Sequence, residues 1–144
     1  MSETSQEKLK QAADVHNLGL MSVKDGRLIE SISFFKAALR ANPKVSQYWV
    51  SYISVLIKLD RISDAIDVIS QLREKGARGK GIIKLEKRIN ELPSDPLPEQ
   101  LNEIVNYYAH GEHQRGLEQT KVLLQKFPKS SALLNIQGGG QASL

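Results

Sequence analysis

The stretch KDGRLIESISFFKAALRANP, residues 24–43, decides how this chain folds. Its third residue is a glycine and its last is a proline. The same two residues recur at the same places in AHGEHQRGLEQTKVLLQKFP, residues 109–128. The two stretches are 85 positions apart, which is two and a half times 34. A period of about 34 residues is typical of helix–turn–helix units that stack on copies of one another. The sequence therefore predicts an array of helical hairpins interrupted by half a period.

Apolar residues recur at three- and four-residue steps on both sides of each predicted turn, as they do in amphipathic helices. Gly26 and Gly111 tolerate the left-handed backbone found after a helix, and Asp60 marks the turn between them. Pro43 and Pro128 end the helices that follow the first and last turns, because proline cannot continue a helix. We expect helical hairpins over residues 6–42, 46–76 and 99–127, with a lone helix over 80–92.

The extra helix and the prolines after it divide the chain. We expect residues 1–92 to form one module of two hairpins plus the unpaired helix. Residues 93–98, with three prolines, should form a stiff connector. Residues 99–144 should hold the third hairpin and the start of a fourth. An odd helix would turn the next hairpin to the wrong side, so the stack should break near the connector. The glycines at 138–140 make a poor helix sequence, at about 1 kcal/mol each.

The pattern of large and small residues resembles the signature of the tetratricopeptide repeat (TPR) family, W-x2-L-G-x2-Y, then A-x3-F, then P. No unit matches it fully. The matches are Leu18, Gly19, Phe35 and Pro43 in the first unit, Trp49 and Ala65 in the second, and Tyr107 and Pro128 in the third. The chain is similar to bacterial TPR arrays, and this resemblance implies an all-α solenoid of hairpins. It also predicts that Trp49 is largely buried between the first two units.

The resemblance implies that the first helix of each hairpin lines a concave groove, which binds a peptide or protein segment. The apolar groove positions equally suit an extra helix of this chain. His16 and Leu20 stand where arrays that grip a chaperone's C-terminal carboxylate carry Lys and Asn, so that clamp is not expected. Matching positions predict these groove residues: His16, Asn17, Leu20, Lys24, Val50, Ser51, Ser54, Lys58, Leu101, Asn102, Val105 and Tyr108.

A basic stretch suggests the alternative function, which is binding of RNA or another nucleic acid. The net charge is +4, and seven cations lie within residues 73–88: Arg73, Lys75, Arg78, Lys80, Lys84, Lys87 and Arg88. Such a cluster attracts phosphates or an acidic partner. RNA-binding helical repeats read bases through polar side chains at equivalent positions of successive repeats, and no such series is seen. We therefore expect no specific nucleic-acid binding.

The remaining composition bears on chemistry and location. The chain has no cysteine, which removes disulfides and thiol nucleophiles, and no catalytic arrangement stands out, so no enzyme activity or cofactor is expected. His110 and His113 lie in a turn without a second cluster, and no metal is expected. No apolar run reaches the ~20 residues that span a bilayer, and the polar N-terminus lacks a signal-peptide core. A cytoplasmic protein with no membrane segment is therefore expected.

Two expectations concern assembly. The unfinished fourth unit suits a chain taken from something longer, such as the non-catalytic N-terminal part of a larger protein. The open C-terminal end is expected to allow self-association, because an uncapped repeat leaves apolar surface. The residues concerned are Val122, Leu133, Leu134 and Ile136.

Overall fold

The protein is all-α. The structure, a computed structural model, describes residues 3–75 and 79–142, and within those ranges it has eight helices and no strand. The helices are α1 (Glu3–Lys24), α2 (Leu28–Ala41), α3 (Ser46–Lys58), α4 (Ile62–Glu74), α5 (Lys80–Glu91), α6 (Pro98–Ala109), α7 (His113–Lys126) and α8 (Ser131–Ala142). None of these helices is long and apolar enough to cross a membrane.

The helix boundaries follow the predicted hairpins closely. The predicted hairpins correspond to α1–α2, α3–α4 and α6–α7, and the lone helix corresponds to α5. The end predicted at residue 76 lies outside the described residues. The glycines at 138–140 make a poor helix sequence, yet α8 continues to Ala142. Leu133 in its first turn is fully buried.

Each of the three predicted turns contains a residue with a positive φ. Gly26 has a φ of 80° and Gly111 a φ of 77°, both in the left-handed region. Asp60 has a φ of 59° and is the one non-glycine residue with a positive φ among the described residues. Asp60 follows Gly26 by 34 positions, so the left-handed residue recurs at the period found in the sequence. A left-handed residue after a helix lets the chain reverse within a few residues.

Backbone hydrogen bonds repeat in the first and last hairpins at the same spacing of 85 positions. The N–H of Arg27 donates to the carbonyl of Ser22 at 2.8 Å, and the N–H of Glu112 donates to the carbonyl of Tyr107, also at 2.8 Å. Each bond spans the turn and satisfies a carbonyl in the last turn of the first helix. The two hairpins therefore reverse direction in the same way.

The first and last hairpins differ in which helix carries the larger residue at equivalent interior positions. In the first hairpin Gly19 faces Phe35, and a Cβ on Gly19 would lie 2.5 Å from the ring. The corresponding positions in the last hairpin hold Ile104 and Thr120, and Phe35, Ile104 and Thr120 are all fully buried. When the residue on one helix is smaller, the residue on the other helix is larger. The combined volume of the two side chains therefore stays nearly constant. Close packing requires such compensation.

The chain divides into two compact units. Unit 1 comprises Met1–Leu59 with Ala65–Asn90, and unit 2 comprises Asp60–Asp64 with Glu91–Leu144. In unit 1, α1 contacts α2 and α3, and α2 contacts α3. In unit 2, α6, α7 and α8 contact one another.

The core of unit 2 is small, and a hydrogen bond connects it to the proline-rich connector. Its buried side chains are Ile104, Leu123, Phe127 and Leu133. Ser130 joins this core to the connector: its Oγ donates to Oδ1 of Asp95 at 2.5 Å and accepts from the N–H of Leu133 at 3.2 Å. Ser130 therefore caps α8 and holds the connector residue Asp95 against the same unit.

Candidate functional site

His16 and Ser51, two of the predicted groove residues, lie inside unit 1. Nε2 of His16 and Oγ of Ser51 form a hydrogen bond of 2.8 Å, and both side chains are buried. The imidazole ring lies 5.4 Å from the ring of Phe35 and 4.6 Å from that of Tyr48, measured between centroids. Burial lowers the pKa of His16, so the neutral imidazole is favoured here. We expected the groove to present both residues to a ligand. Instead they join α1 to α3.

The other predicted groove residues of α1 are accessible to solvent. On α1, the side chains of Asn17, Leu20 and Lys24 are exposed. Leu20 is 43% exposed. Leu9 is 49% exposed and lies eleven positions before Leu20. Eleven positions correspond to about three turns of helix, so the two leucines lie on the same face of α1. The three- and four-residue spacing of apolar residues places Leu9 on the same helix face in the sequence, but Leu9 is not among the predicted groove residues because it precedes the family motif.

On α3, the predicted residues lie between two neighbouring helices. Val50 and Ser54 are half-buried and Lys58 is exposed. A Cβ on Gly81, in the first turn of α5, would lie 2.8 Å from Cγ2 of Val50. α3 therefore contacts α1 through Ser51 and α5 through Val50. The lone helix predicted by the sequence therefore packs against the first helix of the second hairpin.

Unit 2 holds the last four predicted groove residues. Leu101 and Tyr108 are half-buried and pack against the core of this unit. Asn102 and Val105 are exposed, Val105 by half of its surface. Of the four, only these two are exposed.

Two cations of the basic stretch interact with other residues of unit 1. Arg73 of α4 forms an ion pair with Glu86 of α5. Nζ of Lys75 lies 5.7 Å from the ring centroid of Trp49, a cation–π contact. Arg78 lies outside the described residues. The other four cations, Lys80, Lys84, Lys87 and Arg88, are all exposed on α5.

Trp49 is buried, as the sequence predicted. Its side chain is 8% exposed, and its indole N–H donates to the backbone carbonyl of Pro43 at 2.7 Å. This bond ties α3 to the segment that follows α2. The indole also supplies the ring beneath Lys75. Trp49 is therefore a structural anchor of unit 1.

The histidine-containing turn of unit 2 shows no metal-binding arrangement. Nδ1 of His110 donates to the carbonyl of Asn106 at 2.7 Å, and the ring of His113 lies 5.7 Å from that of Tyr108. Glu103 accepts a hydrogen bond from the hydroxyl of Tyr107 and raises the pKa of that phenol. Across residues 3–75 and 79–142, no three His, Asp or Glu side chains are grouped so that they could hold a metal ion.

The apolar end predicted for self-association is only partly open. Val122 is 62% exposed and Leu134 is 49% exposed. Leu133 is buried, and Ile136 packs against the core of unit 2. Two of the four residues thus belong to the unit's own interior, and two present apolar surface.

Comparison with family models, curated proteins and solved structures gives no match for this chain. What the molecule does must therefore be inferred from its own residues. Six of the twelve predicted groove residues lie on one surface, formed by α1 and α3. We define the α1–α3 face as Leu9, Asn17, Leu20, Lys24, Val50, Ser54 and Lys58.

Proposed function

We propose that this chain is a TPR-like helical-repeat protein that binds a peptide or protein segment on the α1–α3 face. It acts as a binding scaffold rather than an enzyme, and it works in the cytoplasm. The observation that carries the proposal is the α1–α3 face itself. Two neighbouring helices, joined beneath their surface by the His16–Ser51 hydrogen bond, present apolar, small polar and basic side chains in adjacent rows.

The recurring hairpin geometry supports the TPR-like arrangement. The left-handed residues Gly26 and Asp60 are 34 positions apart, which is the period of that family. The turn hydrogen bonds recur 85 positions later, and the large and small interior residues compensate one another. Repeats of this kind stack to create extended binding surfaces.

The composition of the α1–α3 face supports a protein ligand. Leu9 and Leu20 offer apolar contact that a free helix surface does not need, and Ser54 offers a small polar position between the helices. Lys24 and Lys58 each occupy the last turn of their helix. Hydrophobic anchors bordered by polar and charged side chains are typical of protein-binding surfaces.

The position of His16, the histidine whose pKa is lowered, supports a binding function for the protein rather than a catalytic one. Perturbed titratable groups often mark active sites, but an active-site group must reach its substrate. His16 is 5% exposed and is enclosed by Phe35, Tyr48 and Ser51. We therefore assign it a structural role.

Peptide display on the wild-type protein tests the proposal. Enriched peptides are labelled with fluorescein, and their affinities are measured by anisotropy against the double variant Leu20→Gln/Ser54→Trp. The matched control is Leu18→Gln/Ser33→Trp, which changes exposed residues outside the α1–α3 face. Circular dichroism confirms that both variants fold.

We expect at least tenfold weaker binding to the α1–α3 variant and unchanged binding to the control. The proposal fails if selection yields no binder. It also fails if the enriched peptides bind both variants equally, because the α1–α3 face would then not be the binding site.

A further inference from the structure

Helix α5 adds a basic edge to the α1–α3 face. Gly81 meets Val50 of α3, so the side of α5 that carries Gly81 faces α3. Lys84 and Arg88 follow Gly81 at three and seven positions and therefore lie along the same side of the helix. Both are exposed. Lys80, four positions before Lys84, begins this row.

The rest of α5 shows why these cations point away from the core. Ile82, Leu85 and Ile89 are buried, and Glu86 is ion-paired with Arg73 of α4. The buried side and the α4 side of the helix are therefore occupied. Lys80, Lys84 and Arg88 lie on what remains, next to α3 and away from α4.

The cations of α5 have few acidic neighbours. Glu91, at the end of the helix, is the one acidic residue on this side of α5 within the part of the chain that the structure describes. The lysines at the ends of α1 and α3 differ, because Asp25 and Asp60 lie in the turns that follow them. The excess of positive charge is therefore greater along Lys80, Lys84 and Arg88 than at Lys24 or Lys58.

The three helices together offer apolar, small and basic rows in that order. Adjacent packed helices lie about 8–10 Å apart, so a ligand about 10–12 Å wide lying over α3 would touch both α1 and α5. Such a ligand meets Leu9 and Leu20 on one side, Ser54 beneath it, and Lys84 and Arg88 on the other.

We propose that the ligand of this surface is an acidic protein segment, with apolar residues that contact α1 and carboxylates that contact α5. This inference rests on the proposed function and names the chemistry of its partner. The carboxylates complement the row Lys80, Lys84 and Arg88, and the apolar residues cover Leu9 and Leu20. Complementary charge sets specificity and accelerates association.

A nucleic acid is the other polyanion to consider, and the surface suits it less well. Single strands bind through aromatic platforms on which bases stack, in addition to cations. Tyr48 and Trp49, in the first turn of α3, are buried. Leu9 and Leu20 are apolar positions that a phosphate backbone does not use. The apolar row and the basic row together favour a protein segment.

The test uses the peptides selected by display and two charge-reversal variants. Lys84→Glu/Arg88→Glu reverses the basic row, and Lys36→Glu/Arg40→Glu makes the same net change on exposed residues of α2. Each enriched peptide that depends on the α1–α3 face is titrated by anisotropy in ~0.15 M salt, where charges separated by more than about 8 Å are screened. Fluorescein-labelled oligo-dT of sixteen nucleotides is titrated in parallel.

We expect the face-dependent peptides to be net acidic and to bind Lys84→Glu/Arg88→Glu at least tenfold more weakly, with Lys36→Glu/Arg40→Glu unchanged. Replacing the peptide's Glu and Asp by Lys should restore binding to the reversed variant, which a folding defect would not do. Neutral or basic face-dependent peptides would overturn this inference and leave the proposed function standing. Oligo-dT that binds more tightly than the peptides, and depends on Lys84 and Arg88, would also overturn it. If no peptide depends on the α1–α3 face, the proposed function itself fails.

Discussion

Exchanging the sizes of two interior residues of the first hairpin should reproduce the packing of the last hairpin. The change is Gly19→Ile with Phe35→Thr, which copies the pair Ile104 and Thr120. Either change alone should be costly. A Cβ on Gly19 would lie 2.5 Å and 2.7 Å from two ring carbons of Phe35, although carbon atoms pack at about 3.5–4.0 Å. The ring is fully buried and has no free space to enter.

The expected magnitudes follow from these contacts. Phe35→Thr leaves a cavity and should cost about 3–5 kcal/mol, the range for truncating a buried aromatic residue. Its new hydroxyl can donate to the carbonyl four residues earlier, as Thr120 Oγ1 does to Gly116 at 2.7 Å. Gly19→Ile overpacks the site and should cost about 1–3 kcal/mol. In the double variant the isoleucine fills the space that the ring leaves. It should therefore be about 2 kcal/mol more stable than the sum of the singles predicts.

Urea unfolding measures the free energies of all four proteins. The fluorescence of Trp49, the single tryptophan, reports on unit 1, and circular dichroism follows helix content. Leu18→Ile and Lys36→Thr, at exposed positions on the same helices, control for β-branched propensity. If a single variant does not fold, Gly19→Ala and Phe35→Leu provide a milder cycle. Free energies that add within about 0.5 kcal/mol would refute the reasoning, because the two residues would then not share space.

Three further predictions concern single residues of the hairpins. Trp49→Ala should cost about 3–5 kcal/mol of stability, whereas Trp49→Phe should lose mainly the hydrogen bond to Pro43, about 0.5–1.5 kcal/mol. Thermal melts of the two variants compare these costs, and a parental melting temperature for Trp49→Ala would contradict its anchoring role. Burial lowers the pKa of His16, so its contribution to the free energy of unfolding is complete above its ordinary pKa of 6.5 and is lost as the pH falls from there through the lowered value. Urea midpoints measured between pH 7.5 and 5 should therefore decrease less for His16→Gln than for the parent. Parallel curves for the two proteins would exclude this linkage. Gly26→Ala should cost about 1–2 kcal/mol because alanine is strained at a φ of 80°, whereas Asp60→Gly should be neutral or stabilising. Urea unfolding measures both variants, and a parental free energy of unfolding for Gly26→Ala would contradict the argument from backbone conformation.

The buried His16–Ser51 pair shows where sequence reasoning reached its limit. The helix containing His16 and its approximate ends were predictable, because the spacing of apolar residues and the glycine turn are local signals. Which side of α1 faces α3 depends on how two helices rotate against each other. A small difference in that rotation moves His16 from an exposed row to the interface while Leu20, four residues later, stays exposed.

The sequence by itself determined the helices, their turns and the burial of Trp49. Glycine at a left-handed position, proline after a helix and the 34-residue period act within a few residues or repeat along the chain, so they can be recognised without tertiary information. Only the tertiary structure decided that α5 packs against Val50 through Gly81 and that Arg73 pairs with Glu86. These outcomes depend on contacts between residues that are distant in the sequence, whose free energy outweighs local propensity and leaves no local pattern to read.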